Sequence, residues 1–382
     1  NDGYALVCAD VRVPDQILAY SDTGEMDSQT DNPGVQMFME MAQDYMDYHI
    51  AEVESKRDSL EEVVQGKFDE VSDYQASHLS KSKTLINSYT YRYYIDITGE
   101  IVENCKPMLR TYWSQDFPYN DKAPLCHSSG CAEPCDNPKC KEHCAAGCVA
   151  IATGQLMAFW QYPARVNGVS MNWSSMYFAS WEDEDNKRKS KYADYCNSVS
   201  ILLRWVGDNV GMDYGCEESS ASTEDAVTLL QKMGYATEGV VDFFRPDAYE
   251  SIRNGMPVMI YGYIKQDYQT GAVEDGHAWL LDGLIHEKRM EDEKYMYVKT
   301  YREEDGSTST EVTYRNFSTQ SNPYYFHCNW GWGGDGNDYC LSNVFNYDDQ
   351  YKVYSNRMAE FDKNSKKNYF RYKLGMAVNI HR

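Results

Sequence analysis

The sequence predicts an α+β fold, in which a helical half is followed by an antiparallel β half and a smaller α+β domain precedes both. Apolar residues recur at helical spacing after residue 148 and again between residues 192 and 210. Beyond residue 257 the chain changes to short runs rich in Val, Ile, Tyr and Trp, separated by turn residues. Helices first and antiparallel strands second is the order typical of α+β proteins.

Residues 1 to about 98 are predicted to form the smaller domain. Tyr4–Ala9 and Gln16–Tyr20 have the composition of two short strands. A long helix follows from about Val35 to Leu60, with apolar side chains recurring along one face. Ser, Lys and Asp are frequent from residue 71 to 89, which predicts a solvated loop.

Residues 99–382 are predicted to form the larger domain, and we expect the boundary between residues 80 and 105. Helices are predicted at 192–210 and 225–233. The predicted strands are 258–261, 277–281, 295–301, 311–314 and 324–330.

The composition excludes several classes of partner. A net charge of −23 argues against binding to nucleic acid and against adsorption to anionic membranes. No run of about 18 apolar residues is present, so no membrane-spanning helix is expected. The sequence starts at Asn1 without an apolar leader, which fits a removed signal or a trimmed N-terminus.

Cysteine usage indicates an oxidising location. The chain has 12 cysteines, and five of them fall between residues 126 and 144. Exported proteins use such clusters as disulfides, which predicts a secreted or cell-surface protein, with or without a lipid anchor. A metal site that includes His127 and His143 is the alternative, although the paired C-x2-C spacing of zinc sites is missing. Cys328 and Cys340 flank a glycine-rich turn and are spaced to pair across it.

Gly147 and Cys148 open the first helix of the larger domain, a position that makes a thiol reactive. A free thiol has a pKa of about 8.5, and a helix N-terminus favours the thiolate. Gly147 permits a sharp backbone turn and leaves room for a substrate carbonyl beside the sulfur. A buried core cysteine is the alternative, and it is common in proteins.

A nucleophilic cysteine needs a base, a group that orients the base, and a donor for the developing oxyanion. His277 follows a glycine and lies 129 residues after Cys148, close to the separation of roughly 130–150 known for one large class of cysteine enzymes. A satisfied core histidine is the alternative. The Gln115 amide and the Cys148 backbone N–H are candidate oxyanion donors. The candidates for orienting the base lie in one Trp/Gly-rich run and are Asn329, Trp330 and Trp332.

Motifs in a fixed order extend over nearly the whole chain. They are W-x-Q-x-x-P-Y-N at Trp113–Asn120, G-C-V-A-x-A-T-x-Q-x-M at Gly147–Met157, M-D-Y-G at Met212–Gly215, G-H-A at Gly276–Ala278 and H-x-N-W-G-W-G-G at His327–Gly334. Residues 1 to about 60 add G-Y-A-L-V and I-L-A-Y. Together these motifs resemble the streptopain family of cysteine proteases, which is a distant relative of papain.

The resemblance implies a papain-like cysteine protease fold preceded by a propeptide, and it implies roles for individual residues. Cys148 is the implied nucleophile, His277 the base and then the acid, and Gln115 a part of the oxyanion hole. Gly276 and Ser220 match positions that line the substrate cleft.

The resemblance also implies that a tryptophan takes over the orienting role that an asparagine has in papain. Neighbouring strand residues face opposite ways, so Asn329 and Trp330 are not both expected to face His277. We expect the orienting residue to be a tryptophan, Trp330 or Trp332.

The function implied is that of a secreted cysteine endopeptidase zymogen, which hydrolyses peptide bonds through a thiolate–imidazolium pair and is kept latent by its N-terminal domain. Neither a cofactor nor a metal ion is expected. The expected partners are protein or peptide substrates and the chain's own prodomain. The alternatives are an acyl or amide transferase, and a non-catalytic binding or inhibitor protein on the same scaffold.

Two segments depart from the family pattern. The cysteine-rich segment 126–144 replaces a shorter connection without cysteines, and it lies between the candidate oxyanion donor and the candidate nucleophile. The charged segment 286–320 follows the histidine strand as a hairpin-like insertion. We expect the first to form a wall of the cleft and the second to be a solvated decoration.

Overall fold

The computed structural model describes residues 3–10, 12–22, 30–76, 83–126, 143–176, 190–266, 273–345 and 374–382. In these residues a group of helices packs against a large antiparallel sheet, and the N-terminal part adds two strands and one long helix. The α+β class predicted from the sequence is confirmed.

The N-terminal part contains β1 (Tyr4–Val7), β2 (Ile17–Ser21) and α1 (Pro33–Ala76), and β3 (Lys83–Cys105) follows. The two predicted strands are present, but the predicted loop at 71–89 is wrong, because α1 extends to Ala76 and β3 begins at Lys83. The polar composition of residues 71–89 is typical of a loop. The part from Lys83 onward is nevertheless a strand, because it pairs with a strand about 200 residues later in the sequence.

The helical half is built around α2 (Cys148–Phe159). Residues 149–158 are all buried, because small residues allow close packing there. Helices α4 (Ser190–Asn209) and α5 (Thr223–Lys232) contact α2, and α3 (Trp173–Met176) contacts α4. A small hairpin of β4 (Arg165–Val166) and β5 (Val169–Ser170) also contacts α4, whereas α6 (Arg245–Arg253) packs on the sheet. None of the helices in the described parts of the chain is long and apolar enough to span a bilayer.

The remaining strands form the sheet. They are β6 (Val240–Asp242), β7 (Val258–Gln266), β8 (Val273–Glu303), β9 (Thr308–Ser321), β10 (Tyr324–Asn329), β11 (Tyr339–Leu341) and β12 (Gly375–Ala377), and a 3₁₀ helix (Ser342–Phe345) follows β11. The strand order is β1-β2-β11-β10-β8-β7-β12-β6. The strands of the N-terminal part therefore continue the sheet of the larger domain.

Strand β8 is the longest of the described strands and pairs with four others. Its first half lies between β7 and β10, and its second half lies between β3 and β9. The charged segment 286–320 is thus part of a three-stranded antiparallel ribbon, which agrees with the predicted hairpin. The hairpin turn is closed by backbone hydrogen bonds between Glu303 and Ser307 and between Gly306 and Glu303.

Helix α1 packs on the sheet and shares its hydrophobic core. The rings of Phe38 and Phe345 lie 5.7 Å apart, and Met41 and Tyr45 of α1 are buried in the same cluster as Trp279 of β8. Residues Tyr20 and Tyr339 are paired where β2 meets β11. Burial of apolar surface, rather than the covalent link alone, therefore holds the N-terminal part in place.

Leu280 of β8 tests how far this sheet depends on packing. The side chain is fully buried, so Leu280→Ala is expected to lower the free energy of unfolding by about 2–5 kcal/mol through the lost burial and the cavity left behind. Met290 lies on the same strand and is exposed, so Met290→Ala should change it by no more than about 0.5 kcal/mol. Denaturant unfolding followed by circular dichroism measures both changes. Equal effects of the two substitutions would contradict this account.

Candidate active site

Cys148 is the first residue of α2, as the sequence predicted. Gly147 before it has φ +89°, a left-handed conformation that favours glycine. A Cβ at Gly147 would lie 2.7 Å from the Met212 side chain and 3.2 Å from the Ser219 carbonyl oxygen. The turn that presents the sulfur thus needs a glycine both for its backbone angle and for space.

His277 lies on β8, opposite Gly262 of β7. Its Nε2 is 2.9 Å from the Trp330 carbonyl oxygen. A carbonyl oxygen can only accept, so Nε2 carries the proton and donates this hydrogen bond. In the neutral ring Nδ1 is then the basic nitrogen, and the imidazole plane is stacked on the Trp279 ring at 6.0 Å and 13°.

The Ala278 backbone N–H lies close enough to the Cys148 sulfur to lower the pKa of the thiol, and Ala278 follows His277 directly, so the two candidate groups lie on neighbouring parts of the fold. Burial raises the pKa of the Cys148 thiol above its ordinary value, against the backbone N–H groups of Ala278, Val149 and Cys148, which lower it. Burial also lowers the pKa of His277 to about 4, against the Trp330 carbonyl. With the N-terminal part in place, both side chains are therefore neutral at pH 7.

Gln115 lies beside the segment that leads to the cysteine. Its backbone carbonyl accepts a hydrogen bond of 2.9 Å from Ala146, two residues before Cys148, and its side chain is buried. This backbone contact fixes the Gln115 segment against the start of α2. The N–H groups of the first helical turn have no acceptor within the helix, so the Cys148 N–H is available as a second donor to a negatively charged oxygen.

The Asn329 side chain is held by other parts of the core. Its Oδ1 accepts hydrogen bonds from Gln155 and Gly331, both at 3.2 Å, and its Nδ2 donates to the Thr111 carbonyl at 3.0 Å. Asn329 therefore ties β10 to α2 and to the segment before Gln115. The structure gives no hydrogen bond between Asn329 and His277 among the residues it describes.

The two tryptophans occupy different places. Trp330 is buried, its carbonyl binds His277, and its Nε1 donates to the Gly336 carbonyl at 2.6 Å. Trp332 donates from Nε1 to the Asp31 carboxylate at 3.2 Å. The group that contacts His277 is thus the backbone of Trp330, which a sequence pattern of side chains could not reveal.

Gly276 and Ser220 lie on opposite elements. Gly276 is exposed and is paired with Tyr263 of β7, whose ring would be 2.7 Å from a Cβ at that position. Ser220 is exposed and exchanges two backbone hydrogen bonds with Asp213 in the loop after α4.

The cysteine-rich segment lies outside the described residues between 127 and 142, so a site that includes His127 cannot be placed. Cys126 at its start forms a disulfide with Cys216. The sulfur of Cys144 lies within 4.8 Å of both. Soft cations such as Zn²⁺ bind thiolate groups of this kind, but only after the disulfide has been reduced.

The expected bridge between Cys328 and Cys340 is not formed, and both thiols are buried and free. Cys340 is paired in register with Phe326, two residues before Cys328. The two side chains meet through a thiol hydrogen bond, and burial together with this bond raises the pKa of Cys328 well above its ordinary value.

The N-terminal part contacts the site through the start of α1. Asn32 donates to the Asp335 carbonyl at 2.7 Å and accepts from the Gly34 N–H at 3.0 Å. A Cβ at Gly34 would lie 2.7 Å from the Trp330 ring and 3.1 Å from Cδ2 of His277. Gly34 is thus the N-terminal residue that lies directly on the candidate base, and the sequence pattern did not single it out.

The chain is similar to known proteins both in its N-terminal part and in its larger domain. The sequence profile of the peptidase C10 family matches residues 113–340, and that of the Spi protease inhibitor matches residues 1–46. The structure of prointerpain A from Prevotella intermedia covers all of this chain and is itself covered to 93%, with a TM-score of 0.52 and 17% identity, so the likeness is one of fold.

Streptopain of Streptococcus pyogenes is 24% identical over 275 residues, which make up 64% of this chain and 56% of streptopain. The chain therefore spans little more than half the length of this curated relative. The peptidase C10 profile, in contrast, covers more than half of the residues here. The chain belongs to the peptidase C10 family and carries a Spi protease inhibitor domain at its N-terminus.

Proposed function

We propose that the chain is a cysteine endopeptidase in its zymogen form, with Cys148 as nucleophile and His277 as base. The observation that carries this proposal is the arrangement around the sulfur. Cys148 opens a buried helix, the backbone N–H of the residue after His277 lies close enough to lower the pKa of its thiol, and the Trp330 carbonyl holds the proton of the imidazole on Nε2.

In the proposed reaction Nδ1 of His277 takes the proton of the Cys148 thiol, and the thiolate attacks the carbonyl carbon of a peptide bond. The Gln115 amide and the Cys148 N–H stabilise the oxygen that becomes negative. His277 then gives its proton to the leaving amine, which separates. Water, deprotonated by His277, attacks the thioester and releases the second product, which restores the thiol.

The N-terminal part acts as an inhibitor in the proposed zymogen. It covers His277 through Gly34, and burial keeps the cysteine and the histidine neutral. When water returns to both groups, the desolvation that disfavours the ion pair is removed. Latency therefore has two causes, which are a blocked cleft and an uncharged catalytic pair.

Peptide or protein substrates are proposed to enter between the Gly276 strand and the Ser220 loop. Gly276 carries no side chain, which allows an extended backbone to approach closely. Prodomain residues 1–98 and protease residues 99–382 remain the proposed division, with a cut between 80 and 105. The disulfide of Cys126 and Cys216 supports an exported, secreted or cell-surface protein.

Cys148→Ala should abolish peptide hydrolysis and any self-processing, because no other group takes over attack on the carbonyl. Intact mass spectrometry under reducing conditions should show loss of about the N-terminal quarter in the native chain only. Cys105→Ala is the matched control, since Cys105 is also a partly exposed free cysteine. Processing by the Cys148→Ala chain would contradict the mechanism, and processing by neither chain would favour an outside activator or a scaffold that only binds.

The neutral pair predicts slow thiol chemistry in the full-length chain. Burial raises the pKa of Cys148, so alkylation by iodoacetamide should be slow at pH 7 and increase as the pH rises above about 9. Removal of the N-terminal part should raise the rate at pH 7 at least about tenfold, which corresponds to one pKa unit. Peptide mapping measures the rate for each cysteine, and buried Cys328 should stay slow in both forms. Equal rates at Cys148 before and after processing would contradict this account.

Gly34→Ala should weaken the inhibitory contact. The new methyl group meets the Trp330 ring, and overpacking of this kind costs about 1–3 kcal/mol. Activity should therefore appear earlier in a time course of peptide cleavage. Met39→Ala is the control, because Met39 lies on the same helix as Gly34 and its side chain is exposed. An unchanged lag in Gly34→Ala would argue against this contact as part of the inhibition.

A further inference from the structure

We propose that His327 and Asp282 form a positioning pair, which holds the Trp330 carbonyl against His277 through a chain of hydrogen bonds. His327 Nδ1 lies 2.6 Å from Asp282 Oδ1, and neither residue contacts the candidate nucleophile. The role assigned to the pair rests on the proposed peptidase activity, whereas the charge state assigned to it does not.

The first branch of hydrogen bonds runs from this pair to the base. The Asn337 backbone lies beside the His327 ring and helps to raise its pKa, and the Asn337 side chain accepts from the Trp330 N–H at 3.0 Å. The carbonyl of the same Trp330 accepts from His277. His327, Asn337 and Trp330 therefore link Asp282 to the proton on Nε2 of His277.

The second branch runs toward the candidate oxyanion donor. Asp282 Oδ2 accepts from the Leu109 N–H at 2.8 Å, and the Asp282 carbonyl accepts from the Met108 N–H at 3.0 Å. Two residues later the Thr111 carbonyl accepts from Asn329. The same carboxylate thus fixes the strand that carries His277 and the segment that leads to Gln115.

The charges of the pair follow from its surroundings. Asp282 is completely buried, and a buried carboxylate needs a compensating charge. His327 has acceptors in both Asp282 and the Asn337 backbone, so the doubly protonated ring satisfies both. Burial opposes this charge, but Asp282, Asp338 and the Asn337 backbone together raise the pKa of His327.

Other titratable groups face the same region from every element around it. His327 opens onto a cavity of about 840 Å³, whose titratable lining residues are Tyr20 and Asp22 at β2, Lys106 and Tyr112 after β3, and Asp338 and Tyr339 at β11. Burial raises the pKa of Asp338, against the hydroxyl groups of Tyr4 and Ser21 and against His327. Asp282 is therefore the carboxylate in direct hydrogen-bond contact with the ring.

The sign of the pH dependence follows from this arrangement. The pKa of His327 is raised, so the imidazolium is present below that pKa and is lost as the pH rises through it. Loss of the charge on His327 leaves the buried Asp282 without a neighbouring cation and weakens both branches of hydrogen bonds. The geometry at His277 should therefore become less favourable on the alkaline side.

The test compares His327→Gln, Asp282→Asn and the double variant in processed full chains. Each single variant should lower kcat on a peptide amide about 10- to 100-fold with little change in KM, because a misplaced base costs rate rather than binding. The double variant replaces an ion pair by two amides, so it should be more active than either single variant. His286→Gln is the control, since His286 is a neighbouring histidine on β8 that stacks on Tyr324, and kcat should stay within about twofold.

A folded His327→Gln chain with unchanged kcat would overturn the proposal, and so would losses in the double variant equal to the sum of the two single losses. If a single variant fails to fold, ¹⁵N NMR of the histidine rings in the Cys148→Ala chain decides. A pH titration should give His327 a pKa above the ordinary value of a histidine, and a pKa at or below that value would overturn the proposal. The NMR measurement does not require an active enzyme. An inactive wild-type chain would therefore contradict the peptidase proposal, and NMR would still test the charge of the His327–Asp282 pair.

Discussion

The hydrogen bond from His277 to the Trp330 carbonyl is the interaction on which the site depends. It fixes the proton on Nε2 and so leaves Nδ1 as the basic nitrogen. The acceptor belongs to the backbone, so its position depends on the path of the chain after β10 and not on a rotamer. Gly331 and Gly333 adopt left-handed backbone conformations in this turn, so the glycines have a direct structural role here.

Burial acts on both candidate catalytic groups in the same direction. It disfavours the thiolate and the imidazolium, and the two neutral forms are therefore the stable ones beneath the N-terminal part. The helix N-terminus and the backbone donors near Cys148 act in the opposite direction but do not prevail. In the proposed zymogen, access of water to both groups would therefore favour the ion pair.

Features set by short stretches of sequence were predictable, whereas those set by distant pairing were not. Gly147 and Cys148 revealed the helix start because a turn and a capping position are local. The composition of the first part of β3 is typical of a loop, and the strand that pairs with it, β8, is far away in sequence. The role of Trp330 was expected from a side chain and is proposed here for a carbonyl. The disulfide of Cys126 and Cys216 joins residues 90 positions apart, which spacing alone could not indicate.

The continuity of the sheet bears on how the N-terminal part can leave. β2 is paired with β11, and α1 shares a hydrophobic core with β8. Cutting the connection between the two parts breaks none of these contacts, and it changes only the effective concentration at which they meet. Dissociation must then expose the apolar surface of α1 and the edge of β11. In the proposed zymogen, activation is therefore governed by two separate steps, cleavage and release, and a loosened contact such as that at Gly34 acts on the second.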